Sequence, residues 1–573
     1  MAQRTLLFFA LLVLVGCGSN QTNESKPVTV VSHLGRMPED LHPTSGSSAA
    51  RLEIFHYIHT TLLKDDIVNK DMAPDALEYI PVLDEKTNSY RCKLRENLKF
   101  DDGSPVTAQD VLFSFKVQVC PEVNSRVRTN FANIAGINII DDKTFDIAYI
   151  RPNIEDLSLW SLYPILQQST YDSIGVFKDA EFAELKESVE SGSEIQTWAK
   201  NFNSIEMGTQ PRRIKGLGPY ELTAWTEGEI ILRKKPDHWT SASTEWFHQN
   251  NIDQIVFRFN NDANAQLLDI KNEVIDVSMG FSSSQMELLK TDTSVTNNYN
   301  TYMVPTFGIS MFTLNLRPDM VDRSPIFSDK DVRLAFAHAL PIQKALDKLS
   351  SGTSVRVATP LSVNKKEYND ELIPFAFDPE KAKSILVANG WQDIDDDGVM
   401  EKVINDEVVD LRIGITIRPH PLFEEIASIM IEGLQLAGFD AYADAQDDWK
   451  MRLEETHDFD CLFHSLSSSF GPVYPLGLFE SDSYPLGVNY SGYNNPAIDS
   501  LSSLISNTFD FAERKKLLFE FQRIVYEDLP YVYVANGKRG VLIHKRFEKT
   551  EPSGAIPYLL LNTLKPANQP QAN

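Results

Sequence analysis

The stretch "YRCKLRENLKFDDGSPVTAQDVLFSF", Tyr90 to Phe115, joins a strand to a helix through one sharp turn. Apolar residues alternate in Tyr90-Arg91-Cys92-Lys93-Leu94, which puts Tyr90, Cys92 and Leu94 on the inward face of a strand. Asp102-Gly103 predicts a turn because glycine takes a positive φ freely, and Pro105 stiffens the turn's exit. Thr107 and Asp110, three residues apart, supply acceptors for the free amides of a helix N-terminus. From Ala108 to Val119, the residues Val111, Leu112, Phe115 and Val119 form one apolar stripe, and Pro121 closes the helix. All of these residues read as scaffold rather than as a binding site.

Outward from this unit, short β-rich runs alternate with amphipathic helices, the pattern of an α/β chain. Val28 to Ser32 reads as a strand ending in the loop His33 to Asp40, where glycine and proline break regularity. Strands are expected at Gly218 to Ala224, Glu229 to Lys234 and Ile252 to Phe259, and helices at Asp329 to Leu340 and Pro379 to Asn389, the latter capped by Gly390. Leu411 to Ile417, a loop with Arg418 and His420, a helix Phe423 to Ala437 and Gly438 make a βαβ unit, and ligands of parallel sheets sit beyond strand carboxyl ends. The charged, serine-rich stretch Tyr171 to Arg213 reads as peripheral to the core. The chain carries neither an internal repeat nor a low-complexity block.

The 573 residues are too many for one core, so two or three domains are expected. The formal charge of −26 argues against nucleic acid or an anionic membrane surface as partner, since both would repel it. The apolar run Leu6 to Val15 follows Arg4 and is half the roughly 20 residues a bilayer-spanning helix needs. It has the form of a secretory signal peptide. Leu14-Val15-Gly16-Cys17 resembles the bacterial lipobox, which implies a signal at 1–16, lipidation of Cys17 and a tether over 17–27, on the periplasmic or outer side of a bacterial membrane. The other cysteines, Cys92, Cys120 and Cys461, lack metal-ligand spacing and read as buried thiols, with a Cys92–Cys120 bridge as the alternative.

Several stretches in order resemble the family 5 extracellular solute-binding proteins, the peptide- and nickel-type receptors of ABC importers. Tyr90 to Phe115 matches the family's F-x-L-R-x-x-x-x-F-x-D-G-x-P-x-T-A-x-D-V pattern, with Cys92 at a usually apolar place. "GLGPYELTAW" (216–225) with "PDHW" (236–239), "KNEVIDVS" (271–278), "IFSDKDVRLAFAHAL" (326–340), "FDPEKAKSILVANGW" (377–391) and "NYSGYNNPAIDS" (489–500) continue the match. The resemblance implies a periplasmic-binding-protein-like two-lobed fold of type II, in the three-domain cluster C arrangement with hinge crossovers. Domain I would comprise 28–60, 210–300 and 536–565, domain II 61–209 and domain III 301–535. It further implies a monomeric, non-enzymatic receptor without cofactor. Such a receptor closes its lobes on a peptide or similar solute and delivers it to permease and ATPase subunits in trans, touching the membrane only through its lipid.

By position within the resemblance, the crevice is expected to be lined by Arg36, Met37, Pro38, Phe307, Arg418, His420, Trp449, Ser469, Phe470 and Tyr533. Arg418 suits bidentate clamping of a carboxylate, with a solvated surface arginine as the alternative. Peptide-binding relatives commonly offer an aspartate to the ligand's amine in a W-x-A-D-Y-x-D-P segment. Here that segment is Leu466-Ser467-Ser468-Ser469-Phe470-Gly471-Pro472, with neither the tryptophan nor the aspartate. A buried unpaired ammonium is costly. The solute is therefore expected to be a peptide whose amine is matched elsewhere or left in solvent, or a different compound such as an oligosaccharide, an opine-like derivative or a metal chelate.

Three clusters offer rival chemistry. His56 and His59 sit among Phe55, Tyr57, Ile58 and Leu62 and read as core. His457, Asp458, Asp460 and His464 flank an alternating strand and read as structure. Asp393-Ile394-Asp395-Asp396-Asp397-Gly398 begins like a calcium loop with Glu401 at the ninth place, but Ile404 stands at the twelfth, where an EF-hand needs glutamate. It reads as a hydrated acidic turn, with calcium binding as the alternative. A hydrolase reading finds no G-x-S-x-G, H-E-x-x-H or P-loop to support it.

Overall fold

A computed structural model of the chain describes residues 27–567, apart from 46–47, 126–127, 188–191, 318–325, 351–353, 405, 467–470 and 472–474. Cys17, Ser469 and Phe470 lie outside the described residues. The main sheet runs in the order Asp440–Ala445, Arg412–Ile417, Cys461–Leu466, Tyr299–Leu314, Tyr531–His544, Val277–Phe281, Thr29–Leu34, Gln254–Phe259, Glu229–Lys234, Tyr220–Trp225. Two strands, 299–314 and 531–544, are much longer than their neighbours and pair antiparallel along almost their whole length. One end of this ribbon joins the strands of the N-terminal half through Val277–Phe281, and the other joins Cys461–Leu466.

The expected βαβ unit is present. Arg412–Ile417 and Asp440–Ala445 pair in parallel across helix Pro421–Leu436, and Gly438 reverses the chain at φ 92°. Its inward face, with Ile413, Ile415 and Ile417 fully buried, packs with Phe336, Met430 and Leu434 in one apolar core. A separate four-stranded sheet orders Leu83–Asp84, Ser89–Lys93, Thr144–Tyr149 and Ile134–Ile139. Beside it lies helix Ala108–Val119, whose Thr107 and Asp110 form a capping box. Cys92 and Cys120 are both free and buried, as is Cys461, so the alternative of a bridge is ruled out.

The reading of Tyr171 to Arg213 as peripheral is wrong. Phe177, Phe182, Leu185, Ala199 and Phe202 are buried in the same core as Tyr90, Phe113 and Trp160. Phe113 meets Phe177 at 5.7 Å and Trp198 at 6.4 Å between ring centroids. Helix 108–119 is accordingly buried on more than the predicted stripe, with Phe113 and Val117 also at 0% exposure. The polar groups of the stretch turn inward as backbone partners. Asp172 accepts from the N–H groups of Gly175, Val176 and Phe177 at 2.8 to 3.0 Å, and Lys116 donates to the Phe177 carbonyl at 2.9 Å. Isolated aromatics held by such loops carry no period for sequence reading to detect.

Candidate functional site at the strand crossover

The two long strands pair from Tyr299↔His544 to Pro305↔Lys538, lose register, and resume from Ile309↔Asn536 to Thr313↔Tyr531. Pro305 has no N–H to give a ladder, and the break in register leaves the carbonyls of Pro305, Thr306 and Gly308 to other partners. Side chains take them instead. Asn536, fully buried, donates to the carbonyls of Gly308 at 2.8 Å and Thr306 at 3.3 Å and accepts from Val363 N–H at 2.9 Å. Asn364 donates to the Pro305 and Thr306 carbonyls at 3.1 and 2.8 Å, and Thr306 Oγ1 donates to Gly537 O at 3.1 Å. From the C-terminal segment Gly554 presses on the same point, since a Cβ there would meet Pro305 O at 2.1 Å. The crossover is thus a local interruption of the ladder, pinned by two asparagines.

On one side of it, Asp75 and His248 are joined by a buried 2.8 Å pair, and Trp246 Nε1 donates to Asp66 at 3.0 Å. These contacts fasten segment 61–209 to the half built from the chain ends. On the other side, Ile154 N–H donates to Ser506 O at 3.0 Å, and its side chain enters an apolar cluster with Leu501 and Ile505. Lys366 lies 3.9 Å from Asp71. Segment 61–209 therefore touches the half containing Cys461–Leu466 as well.

The predicted site residues divide among several environments. Arg36 is exposed and pairs with Glu39 at 3.5 Å, Met37 packs partly against the core of the chain-end half, and Pro38 is buried. Phe307 lies at the crossover but is 2% exposed, packed with Ile67, Phe247, Ala555 and Leu560 as floor rather than open surface. Arg418 and His420 share Phe423: the guanidinium lies over the ring at 4.8 Å and the imidazole meets it at 5.8 Å. His420 also caps helix Pro421–Leu436, accepting from Leu422 N–H at 3.2 Å. Trp449 and Tyr533 join one cluster, and the buried Tyr533 hydroxyl has no hydrogen-bond partner among the described residues.

The rival histidines are held in the protein, though His59 is buried with neither ring nitrogen hydrogen-bonded among the described residues. His56 Nδ1 engages Leu52 O at 3.1 Å, and burial first, then Lys64, pushes this imidazole down to about 3. His464 Nε2 meets Thr313 Oγ1 at 2.7 Å, His457 Nε2 meets Pro485 O at 3.2 Å, and Asp460 accepts from Gly414 N–H at 2.8 Å.

The model for bacterial extracellular solute-binding proteins, family 5, matches residues 71–482. The chain belongs to this family. Oligopeptide-binding protein AppA of Bacillus subtilis is 22% identical over 553 residues, which cover 92% of this chain and 91% of that protein. Its solved structure in complex with a nonapeptide superposes with a TM-score of 0.70 at 18% identity, covering 95% of this chain and 100% of that one. CtaP of Listeria monocytogenes gives 0.73, and NikZ of Campylobacter jejuni in complex with Ni(L-His) gives 0.69, each at 18% identity over 94% of this chain and 99% of theirs. The likeness establishes the two-lobed α/β fold of this family 5 solute-binding protein.

In it, three groups near the crossover escaped sequence reading. Asn536 was legible only as a polar interruption in the apolar strand Tyr531–His544. Lys365, 6% exposed, donates to Gly471 O at 3.0 Å, next to the serine segment. Burial pushes its ammonium down to about 8 against the pull of Glu367 and of Glu155 from segment 61–209. Glu53, half-buried on helix Ala49–Ile58, is pushed up to about 8 by burial, against the pull of Arg539 on the crossover strand. The signs are opposite. The Glu53 contribution to stability is fully present below its unfolded value of 4.5 and lost as pH rises to about 8. The penalty at Lys365 applies below about 8 and is relieved as pH rises toward 10.5. Urea titrations from pH 5 to 10 should therefore show Glu53→Gln flattening the stability slope below pH 8 and Lys365→Met flattening it above. Unchanged slopes would show that neither group is shielded.

Proposed function

We propose that this chain is an extracytoplasmic receptor that captures a small solute, a peptide in the first instance, by closing two lobes about the crossover strands. The lobes comprise 28–300 with 536–565, and 301–535, the first containing segment 61–209 as its own domain. The supporting observation is the crossover: two long strands link separately cored halves, and their ladder is interrupted between Pro305 and Ile309. A hinge of this kind lets a solute that contacts both lobes shift the balance toward closure. Cys17 would carry the lipid, and the closed form would dock as a monomer on a permease powered by separate ATPase subunits. The solute is bound and released without chemistry.

For the site we propose Arg36, Met37 and Pro38 on one lobe and Arg418, His420, Trp449, Ser469, Phe470 and Tyr533 on the other, above Phe307. The absence of tryptophan and aspartate between Leu466 and Pro472 favours a second reading, a solute without a free amine.

Native mass spectrometry of the purified chain should reveal a retained ligand mass. Titration of a peptide library against the fluorescence of its seven tryptophans should give a saturable, stoichiometric change with the peptide recovered intact. Arg418→Ala should weaken a carboxylate-bearing solute by about 1.5–3 kcal/mol, the range for a charged hydrogen bond. Hydrolysis of the peptide would overturn the receptor reading. Saturation by sugars or metal chelates alone would select the second.

A further inference from the structure

The loop Asp393-Ile394-Asp395-Asp396-Asp397-Gly398-Val399-Met400-Glu401 projects from the half that contains the βαβ unit. Both ends are anchored: Trp391 and Met400 are 2% exposed in its apolar core, and Gln392 and Glu401 exchange backbone hydrogen bonds of 3.0 and 2.9 Å across the neck. Asp396 and Gly398 take left-handed φ values of 61° and 92°, folding the loop back on itself. As a result, one carboxylate oxygen from each of Asp393, Asp395, Asp397 and Glu401 lies within 4.8 Å of the others.

The loop's own amides use only part of this oxygen set. Ile394 N–H donates to Glu401 at 2.7 Å, Gly398 N–H to Asp393 Oδ2 at 3.1 Å, Asp397 N–H to Asp395 at 3.3 Å and Val399 N–H to Asp397 at 2.8 Å. Asp393 Oδ1 is buried with no hydrogen-bond partner, and Glu401, 6% exposed, is taken out of solvent as well. Among the described residues no lysine, arginine or histidine forms an ion pair with any of the four. The adjacent Lys402 reaches instead to Asn389 at 2.6 Å and Asp329 at 3.7 Å. Four carboxylates at this separation repel one another, and a buried carboxylate oxygen without a donor is costly. A cation would resolve both.

We propose that Asp393, Asp395, Asp397 and Glu401 form a calcium site. Hard carboxylate oxygens are calcium's ligands, and oxygens about 2.3–2.6 Å from one ion lie within about 5 Å of one another. The first, third and fifth places with glycine at the sixth follow the order of an EF-hand loop, and Val399 at the seventh has a backbone carbonyl to add. Glu401 at the ninth supplies the acid missing at Ile404, and the backbone pair with Gln392 closes the shorter loop. Magnesium, which holds its waters and demands a near-ideal octahedron, suits a flexible loop of four carboxylates less well. The ion's effect is structural: it ties together the turn between Trp391 and Met400, whose backbone bonds to Leu411 and Gly438 hold the parallel unit in place.

The test uses the full chain stripped with EDTA. Calcium alone should raise its melting temperature with one-to-one stoichiometry, and terbium bound in its place should luminesce on excitation of Trp391. Asp395→Asn and, separately, Asp393→Asn should melt at or above the wild type in EDTA, since each removes a repelling charge, and should lose the calcium response at least tenfold. No calcium-dependent rise, an undiminished rise in both variants, or an equal rise with magnesium at the same concentration would each overturn the site.

Discussion

Asn536→Ala is expected to lower the stability of the chain by about 3 kcal/mol and to weaken solute capture by at least tenfold. The substitution removes two donors and one acceptor at once, leaving the carbonyls of Thr306 and Gly308 and the Val363 N–H without the amide that served them. A buried backbone group left unpaired costs about 1–3 kcal/mol. The Thr306 carbonyl keeps its bond from Asn364, so the figure given is the sum of the losses at the Gly308 carbonyl and the Val363 N–H. Asn536→Asp keeps the acceptor for Val363 but sets a negative charge against two carbonyl oxygens, so it should be the worse variant at neutral pH. Urea denaturation and a fluorescence titration with the captured solute measure the two effects separately. A loss below about 1 kcal/mol would mean that Asn364 and Thr306 hold the crossover alone. A loss of stability with undiminished affinity would remove the crossover from the closing motion.

The fold was legible wherever one segment carried its own period and punctuation. Thr107 and Asp110 announced a helix start, Gly390 and Gly438 announced helix ends at φ values of 91° and 92°, and the alternation through Ile413, Ile415 and Ile417 announced a strand. Segment 171–213 was illegible because Phe177, Phe182, Trp198 and Phe202 are separated by polar residues whose side chains, like that of Asp172, turn inward to bond backbone. Such burial is decided by tertiary contacts, which override local pattern. The candidate site was less legible than the fold. Only position within the resemblance pointed to Phe307 and Tyr533, and Phe307 is packed against Ile67, Phe247, Ala555 and Leu560. Lys365 and Glu53 acquire their altered chemistry from burial by segments distant in sequence, which outweighs the opposing pull of Glu155 on the one and of Arg539 on the other.

Asp75→Asn is expected to cost about 3 kcal/mol, the upper end for hydrogen bonds to a charged group, because the buried carboxylate loses its charge toward His248 and Thr61 together. The Asp75 carboxylate accepts from Thr61 N–H at 3.1 Å and meets His248 Nε2 at 2.8 Å, with both side chains 4% exposed. Burial by itself would raise this carboxyl; Lys64, His248 and the Thr61 amide outweigh it and hold it at about 2. Its folded value lies below the unfolded 3.8, so its contribution to stability is present above pH 3.8 and lost as pH falls toward 2. The acid limb of a urea-stability profile should therefore be shallower in the variant than in the wild type, and the two curves should converge near pH 2. Function should follow. The pair and the Trp246–Asp66 bond fasten segment 61–209 to the chain-end half, and in the proposed closure both would swing as one body about the crossover strands. With the pair broken, contacts from that segment, such as Ile154 against Leu501 and Ile505, no longer move in step with the hinge, and solute affinity should drop even at temperatures where the chain stays folded. An Asp75→Asn variant with wild-type affinity and an unchanged acid limb would show that the joint is held by packing of Trp246 and Phe247 instead.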